Sequence, residues 1–537
     1  MFENDKFSKI LDAAMALPDG KEVLDSWMSR YSLPLVLSTV TREMDAVTKA
    51  LRLTINDITP EFIDSWSLDS TAGTAGRDKA PVTLEILRCA SQTRRAGEHN
   101  KVKKDPSAFC YEMLGSLGNH RSQASMNTQA IQGLFVWATG CSRQIIDVLQ
   151  KTGFCISYDS VLKLVNNLAS CSIEQARIVA RGPHALCWDN INISTSIFTE
   201  QRVNGPSKVR SGTVAVLYKL PNAKRSDMLL APMLERAKKA PGLSFNADIR
   251  PTPDQSASFN AQLLVHILRM LFLFTKGWEL YEGLPEFQHL ARRRQLPPGY
   301  CTEQFPVRAS TIEEASVEGN IAVPEDIMRR KDVNPFTRME VFQQAFGLFH
   351  LCLNLIWALL HIHRGSLKQL GSLTYFFTLL DKARLGSEHP DYHTLLAALM
   401  QILNGLVLSA WKEECGHASF EAFAASKPTP QELLAIAQQI LYKYYDSPDA
   451  TGSAGRSGTQ RPVPQDDNPH RNLRILTRDL LYVVELIRAI SDGDIGRIED
   501  ILGSLAMMFR GAGSNNYCTE ILHFLHNLKH VWTPEFA

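Results

Sequence analysis

The sequence predicts a mainly α-helical protein with a small α/β core and a large helical insertion. Three observations lead there. Apolar residues recur at three- and four-residue spacing along most of the 537 residues. β patterning is confined to Arg181–Leu220, and the stretch from Met339 to Trp411 is strongly apolar with helical spacing.

The first segment, 1–90, reads as helices over Phe7–Leu17, Lys21–Tyr31 and Leu35–Leu51, punctuated by Pro18-Asp-Gly20 and Pro60, with a Thr/Ala/Gly-rich loop at Ser70–Lys79. The second, 91–180, opens on a basic run and ends in a helix pair that resembles helix-turn-helix. Ile145, Val148 and Leu149 form one face, Gly153 stands at a C-cap, and Ser157 or Asp159 starts the next helix. Lys163, Asn166 and Asn167 are what that second helix would offer a DNA groove, with no arginine, so a plain helical hairpin is the better reading.

The third segment, 181–335, holds the β signal. Ala185–Ile193 is an apolar run that stops at Asp189, which reads as a buried strand with the carboxylate at its end, and then alternates polar with apolar residues. After a turn at Asn204-Gly205, Thr213–Leu220 reads as a second strand. Arg292–Arg294 then opens an irregular stretch. The fourth, 336–445, is a helical insertion; 446–470 is Gly/Ser/Pro/Asp-rich and reads as a disordered linker; 471–537 is helical.

Composition narrows the function. With 45% hydrophobic and 21% charged residues and a net charge of +1, the chain is an ordinary globular protein without a whole-molecule basic field. Its ten cysteines include no Cys-x-x-Cys pair, and the acidic start, Met1-Phe-Glu-Asn-Asp, is no secretory signal. The expected location is intracellular, nucleus or cytoplasm. Leu263–Phe274 and Ala345–Ile362 carry His266, Arg269, His350, Asn354 and His361, which suits buried helices better than membrane spans. Phosphate-binding loops of Walker type, dinucleotide fingerprints and nucleophile elbows are all missing from the sequence.

The candidate catalytic residue is Asp189, a metal ligand if the chain is active, with Glu313, Glu314 and Glu318 as the nearest cluster of acids to complete a site; a turn cap is the plainer role for Asp189. Phosphate contacts are expected, if anywhere, at Arg94, Arg95, Lys101, Lys103 and Lys104 and at Arg292, Arg293 and Arg294. His361 with His363, His389 with His393, and Cys415 with His417 are spaced so that each pair can donate to a metal, but none shows the paired spacing of a zinc site.

Seven runs, Gly153–Asp159, Trp188–Asn192, Ser316–Asn320, Gly347–His350, Gly371–Leu373, Gly493–Arg497 and Gly513–Tyr517, resemble in order a family abundant in mushroom-forming fungi, domain of unknown function 6589. That family's layout is similar to ribonuclease-H-like transposases. There, acids from two strands and a closing helix hold two metal ions for strand cleavage. The resemblance makes Asp189 the first acid and implies a degenerate ribonuclease-H-like sheet. It also implies that the strand ending Gly-Asp-Gln-Leu-Thr, with the second acid, is absent between Asn320 and Gly347. The acid-rich segment after the Asn-Tyr run is absent as well.

The expected function is therefore that of a non-catalytic, degenerate relative of a transposable-element-derived protein, with no cofactor. The alternatives are an active DNA nuclease or strand-transfer enzyme using magnesium or manganese, and a helical interaction module presenting Leu348–Leu360 and Leu395–Leu406 to other proteins. DNA and proteins are the expected partners, not a membrane.

Overall fold

The computed structural model describes residues 6–93, 106–194, 209–314, 316–329, 343–445 and 468–537. It is mainly helical with one small sheet, as the periodicity predicts. The chain divides into two units: Met1–Lys219 with Gln304–Thr337, and Leu220–Glu303 with Arg338–Ala537. The segment read as a strand-containing core, 181–335, thus contributes to both.

In the first unit, β1 (His184–Ser194), β2 (Val209–Lys219) and β3 (Gln304–Ser310) form an antiparallel sheet in the order β1-β2-β3. The first two strands pair in unbroken register, with Asp189 opposite Val214. Asp189 therefore lies mid-strand, not at a strand end: the alternating Asn-Ile-Asn-Ile tail continues the ladder that its period-2 pattern favours. The turn at Asn204-Gly205 lies outside the described residues. β3 falls in the stretch read as irregular; Pro306 and Arg308 weaken its β signal, and as an edge strand it tolerates the proline.

Leu186, Trp188, Ala215, Leu217, Phe305 and Val307 form one face of the sheet. They pack against Ala176 and Ala180, at the end of helix Tyr158–Val179, and against Val323 and Ile327 of helix Val317–Arg329. By alternation the other face carries Cys187, Asp189, Ile191, Val214 and Val216.

The helix pair forms as expected. Helix Arg143–Lys151 ends at Gly153 in a left-handed conformation (φ +75°), and Ser157 Oγ accepts from the Ser160 amide, so Ser157 supplies the cap. Its buried face is set by Ile146, while Ile145 and Val148 are exposed. Asn167 donates to the carbonyls of Ile55 and Ile58, which ties it to its own unit. The expected loop at Ser70–Lys79 is instead the short helix Leu68–Thr71 followed by a π turn, Ala72–Gly76.

Ahead of these lie α1 (Lys6–Met15), α2 (Pro18–Trp27) and α3 (Leu33–Ala50). α3 buries Met44, Val47 and Glu43; the Glu43 carboxylate accepts from the Val82 and Thr83 amides and the Thr83 hydroxyl, which caps helix Pro81–Ser91. Burial pushes that carboxyl up, and these hydrogen bonds outweigh it and hold it below the usual range.

The second unit has one large apolar core. Helices Pro253–Phe274, Leu348–His363, Tyr392–Glu414, Pro430–Tyr444, Asn468–Ser491 and Ile495–Gly511 supply most of it. Leu351, Leu355, Leu359, Leu395, Leu399 and Leu403 are fully buried. The faces of Leu348–Leu360 and Leu395–Leu406 expected to meet other proteins are spent in this core. Two helical segments, Phe245–Phe274 and Tyr392–Glu414, are long and apolar enough to cross a membrane, and about half of each is buried in protein.

Candidate functional site

The sheet of the first unit and a layer of buried charge in the second hold the candidate site residues that fall among the described residues. On the sheet, Asp189 is half-buried and its Oδ1 accepts from the Asn190 amide at 2.8 Å. Two positions back along the same face, the Cys187 thiol is pushed up, first by burial and then by the fields of Asp189 and Glu314. Glu314 thus lies within electrostatic range of this thiol, while its carbonyl is bonded to Asn320, which meets Trp188 of the opposite face. Glu313 and Glu318 are exposed, Glu318 in the first turn of helix Val317–Arg329, where a carboxylate suits the helix dipole.

The run Ser316–Asn320 works as a latch. Ser316 Oγ accepts from the Gly319 amide at 2.9 Å. Asn320 donates to the Glu314 carbonyl at 2.6 Å and accepts from Trp188 Nε1 at 3.3 Å. Gly319 is required by close approach, since a Cβ there would stand 1.9 Å from the Glu313 carbonyl oxygen. Asp189 supplies part of a divalent-ion site, but not the set of oxygens that a pair of ions needs. Arg94, Arg95, Lys101, Lys103 and Lys104 lie outside the described residues.

The second unit builds its charge layer on helix Ile495–Gly511. Gly496, Glu499, Asp500 and Gly503, at i, i+3, i+4 and i+7, share one face. The two glycines admit backbone: a Cβ at Gly496 would stand 2.8 Å from the Arg293 nitrogen, and one at Gly503 would stand 1.9 Å from the Ile249 oxygen. The acids take the arginine triplet. Arg292 pairs with Asp500 at 2.9 Å and with Asp254; Arg293 pairs with Glu499 at 2.6 Å and Asp500 at 3.1 Å; Arg294, held at φ +56°, pairs with Glu499 and donates to the Ala537 carbonyl. Asp494, fully buried, caps the helix through the Arg497 amide and also accepts from the Arg292 amide at 2.6 Å. The triplet expected to grip phosphates thus has its charge neutralised internally.

Arg497 makes a two-pronged pair with Glu485, both bonds at 2.7 Å, and reaches Asp492 at 2.6 Å; both Arg497 and Glu485 side chains are 1% exposed. His266 Nε2 donates to Glu485 Oε2 at 2.8 Å, and His289 Nδ1 donates to Gln262 at 2.9 Å. Both imidazoles are pushed down by burial, His289 to about 2, so they stay neutral.

His266, His289 and Glu485 place ligand atoms within 4.8 Å of one another. The donor set does not suit a metal ion, because both Glu485 oxygens already hold Arg497, and a divalent ion there would face that guanidinium. Among the expected metal pairs, His363 bonds Asp479 at 2.8 Å, Cys415 bonds the Lys412 carbonyl, and His389 packs edge-on against Trp357.

A cleft of about 470 Å³ opens beside the charge layer, bordered by Asp248, Arg293, Arg294, Glu499 and Lys529. Its cations are engaged: Lys529 donates to the Asp248 carbonyl at 2.6 Å, and burial lowers its pKa.

Sequence reasoning missed the charge layer, although a signal was available. Gly-x-x-Glu-Asp-x-x-Gly at 496–503 is a helical face of small and acidic residues, the complement of an arginine triplet.

A family model described as a family of unknown function (DUF6589) matches residues 238–331 and 327–537, more than half of the chain, which belongs to that family. The matched span includes the whole charge layer above from Asp248 onward and excludes Asp189. No curated protein and no solved structure matches the chain.

Proposed function

Taking that membership as the premise, we propose that this chain is a non-catalytic, helical member of the family, related to transposable-element proteins of the ribonuclease-H-like kind. One observation carries the reading: the polar residues of its family-like runs are engaged in holding its own fold. Asp494 clamps the arginine segment through the Arg292 amide, Arg497 locks Glu485, Ser316 and Asn320 latch the end of the sheet, Ser372 caps helix Leu373–Leu379, and Tyr517 accepts from Asn354 at 2.7 Å. Side chains engaged in this way are structural joints; chemistry requires groups aimed at a substrate. The three-stranded sheet with Asp189 supports the ancestral relation.

The second reading is a magnesium- or manganese-dependent nuclease, favoured by Asp189 and Glu314 both acting electrostatically on Cys187. Purified chain incubated with DNA and either ion separates the two. The proposal expects no cleavage, whereas cleavage lost in both Asp189→Ala and Glu314→Ala establishes the enzyme. Titration with duplex DNA over a salt series addresses the remaining partner: phosphate contacts would show as affinity falling linearly with salt on logarithmic axes.

A further inference from the structure

The cleft of about 470 Å³ beside the charge layer is bordered by residues of two π turns, Phe245–Ile249 and Asn527–Val531, which are tied together by the bonds of Lys529 and His530 to Asp248. π turns are rare and recur at functional sites. Gly503 seats the first of them on helix Ile495–Gly511, since no side chain would fit between its Cα and the Ile249 carbonyl. Arg294 borders the same cleft at φ +56°, a left-handed conformation that a residue with a Cβ keeps only where its surroundings impose it, and one that gathers at ligand clamps. The volume suits a small-molecule pocket.

The unused hydrogen-bond valence in the cleft belongs to donors. Every carboxylate oxygen on its border is already bonded: Glu499 Oε1 to Arg294 and Oε2 to Arg293, Asp500 Oδ1 to Arg293 and Oδ2 to Arg292, Asp248 Oδ1 to His530 and Oδ2 to the Ser244 amide. The cations are each engaged on one side only. Among the described residues Arg293 bonds through Nε and Nη2 and not through Nη1, and Lys529 gives one N–H to the Asp248 carbonyl and keeps the others. Gln255 is held by its oxygen, which leaves its amide nitrogen. The rest of the border is largely apolar, with Ile249, Pro251, Leu525, Leu528 and Pro534.

We infer that this cleft binds a small organic monocarboxylate, its charged end held by Lys529 and Arg293 and its apolar body laid on Ile249, Leu525, Leu528 and Pro534. Lys529 is the deciding group. Burial pushes its ammonium down by more than the Asp248 charge raises it, and the bond it makes is to a neutral carbonyl. An incoming carboxylate supplies the charge-assisted bond that this ammonium lacks. A phosphate dianion fits less well, because Glu499 and Asp500 already balance the arginines and would stand beside its second charge.

The test is isothermal titration of the full chain with sodium octanoate, with octan-1-ol, which has the chain without the charge, and with inorganic phosphate, which has charge without the chain. Octanoate is expected to bind at a single site, and the other two more weakly. Lys529→Met should weaken octanoate binding about tenfold, the loss of one charge-assisted hydrogen bond, while Lys529→Arg keeps most of it. Pro534→Asp sets a second carboxylate on the apolar border and should weaken octanoate as well. Both positions are exposed, so each variant keeps the thermal unfolding of the ligand-free wild type. Absence of octanoate binding overturns the proposal. So does octanoate binding that octan-1-ol or phosphate matches, or that survives both Lys529→Met and Pro534→Asp.

Discussion

Asp189 and Glu485 are both carboxylates in secondary structure, and they sit in opposite circumstances. Asp189 stands half-buried on a sheet face and takes the amide of its own neighbour, Asn190, from one residue away. Glu485 stands in a helix at 1% exposure and holds three hydrogen bonds, two from Arg497 and one from His266, the latter 219 residues distant in sequence. A charge on an accessible surface can be lost at small cost. A charge removed from water is tolerated only because every partner is in place, and removing one partner exposes the full desolvation penalty of the other. The residue that resembles a catalytic acid is therefore expected to matter little to stability, and the fold of the second unit to depend on residues with no catalytic look.

The sharpest way to break this comparison is Arg497→Met. It leaves the Glu485 charge buried with only the neutral His266 as a partner, and the expected cost is about 3–5 kcal/mol, read as a lowered midpoint in denaturant unfolding. Amide hydrogen exchange resolved by peptide should place the loss in the second unit, with protection of β1 and β2 unchanged. Adding Glu485→Gln to that variant removes the orphaned charge and should restore part of the loss; if it does not, the pair is not the source of the effect.

Gly496→Ala comes next. Its methyl group would meet the Arg293 backbone, so overpacking of about 1–3 kcal/mol is expected, again confined to the second unit. A neutral Gly496→Ala would show that the arginine segment is free to move away from helix Ile495–Gly511.

Acid should distinguish the units as well. His266 and His289 are held neutral by burial, with folded-state pKa values below the unfolded one. Below about pH 6.5 the unfolded chain takes up protons that the folded chain refuses, so stability of the second unit falls steadily from there toward pH 2 and is flat above. His289→Gln should flatten that dependence in a pH series of unfolding curves. An unchanged slope would mean that the imidazole is protonated in the fold.

The smallest effect is expected from Asp189→Asn, under about 1 kcal/mol, because the amide oxygen can still accept from the Asn190 backbone. A loss as large as that of Arg497→Met would make Asp189 a structural keystone and erase the contrast between the units.

Much of the local structure was legible because it is decided locally. Gly153 ends one helix because the conformation at that position is strained for any residue with a Cβ, and Ser157 starts the next because its hydroxyl reaches an amide three residues on. The first two strands were visible in their alternation. β3 was not, since an edge strand with Pro306 and Arg308 lacks the pattern that a central strand must have. The arginine triplet at 292–294 looks like a surface cation patch when read in sequence, because the acids that neutralise it most deeply, Glu499 and Asp500, come about two hundred residues later.

What the sequence by itself determined is the helical class, the position of the two long strands, the caps, and the family to which the chain belongs. These follow from backbone sterics, side-chain period and short-range hydrogen bonds, all of which act within a few residues. Only the tertiary structure decided which charges are free and which are spent. That outcome depends on the distance between groups far apart in the chain, and on the cost of taking each of them out of water.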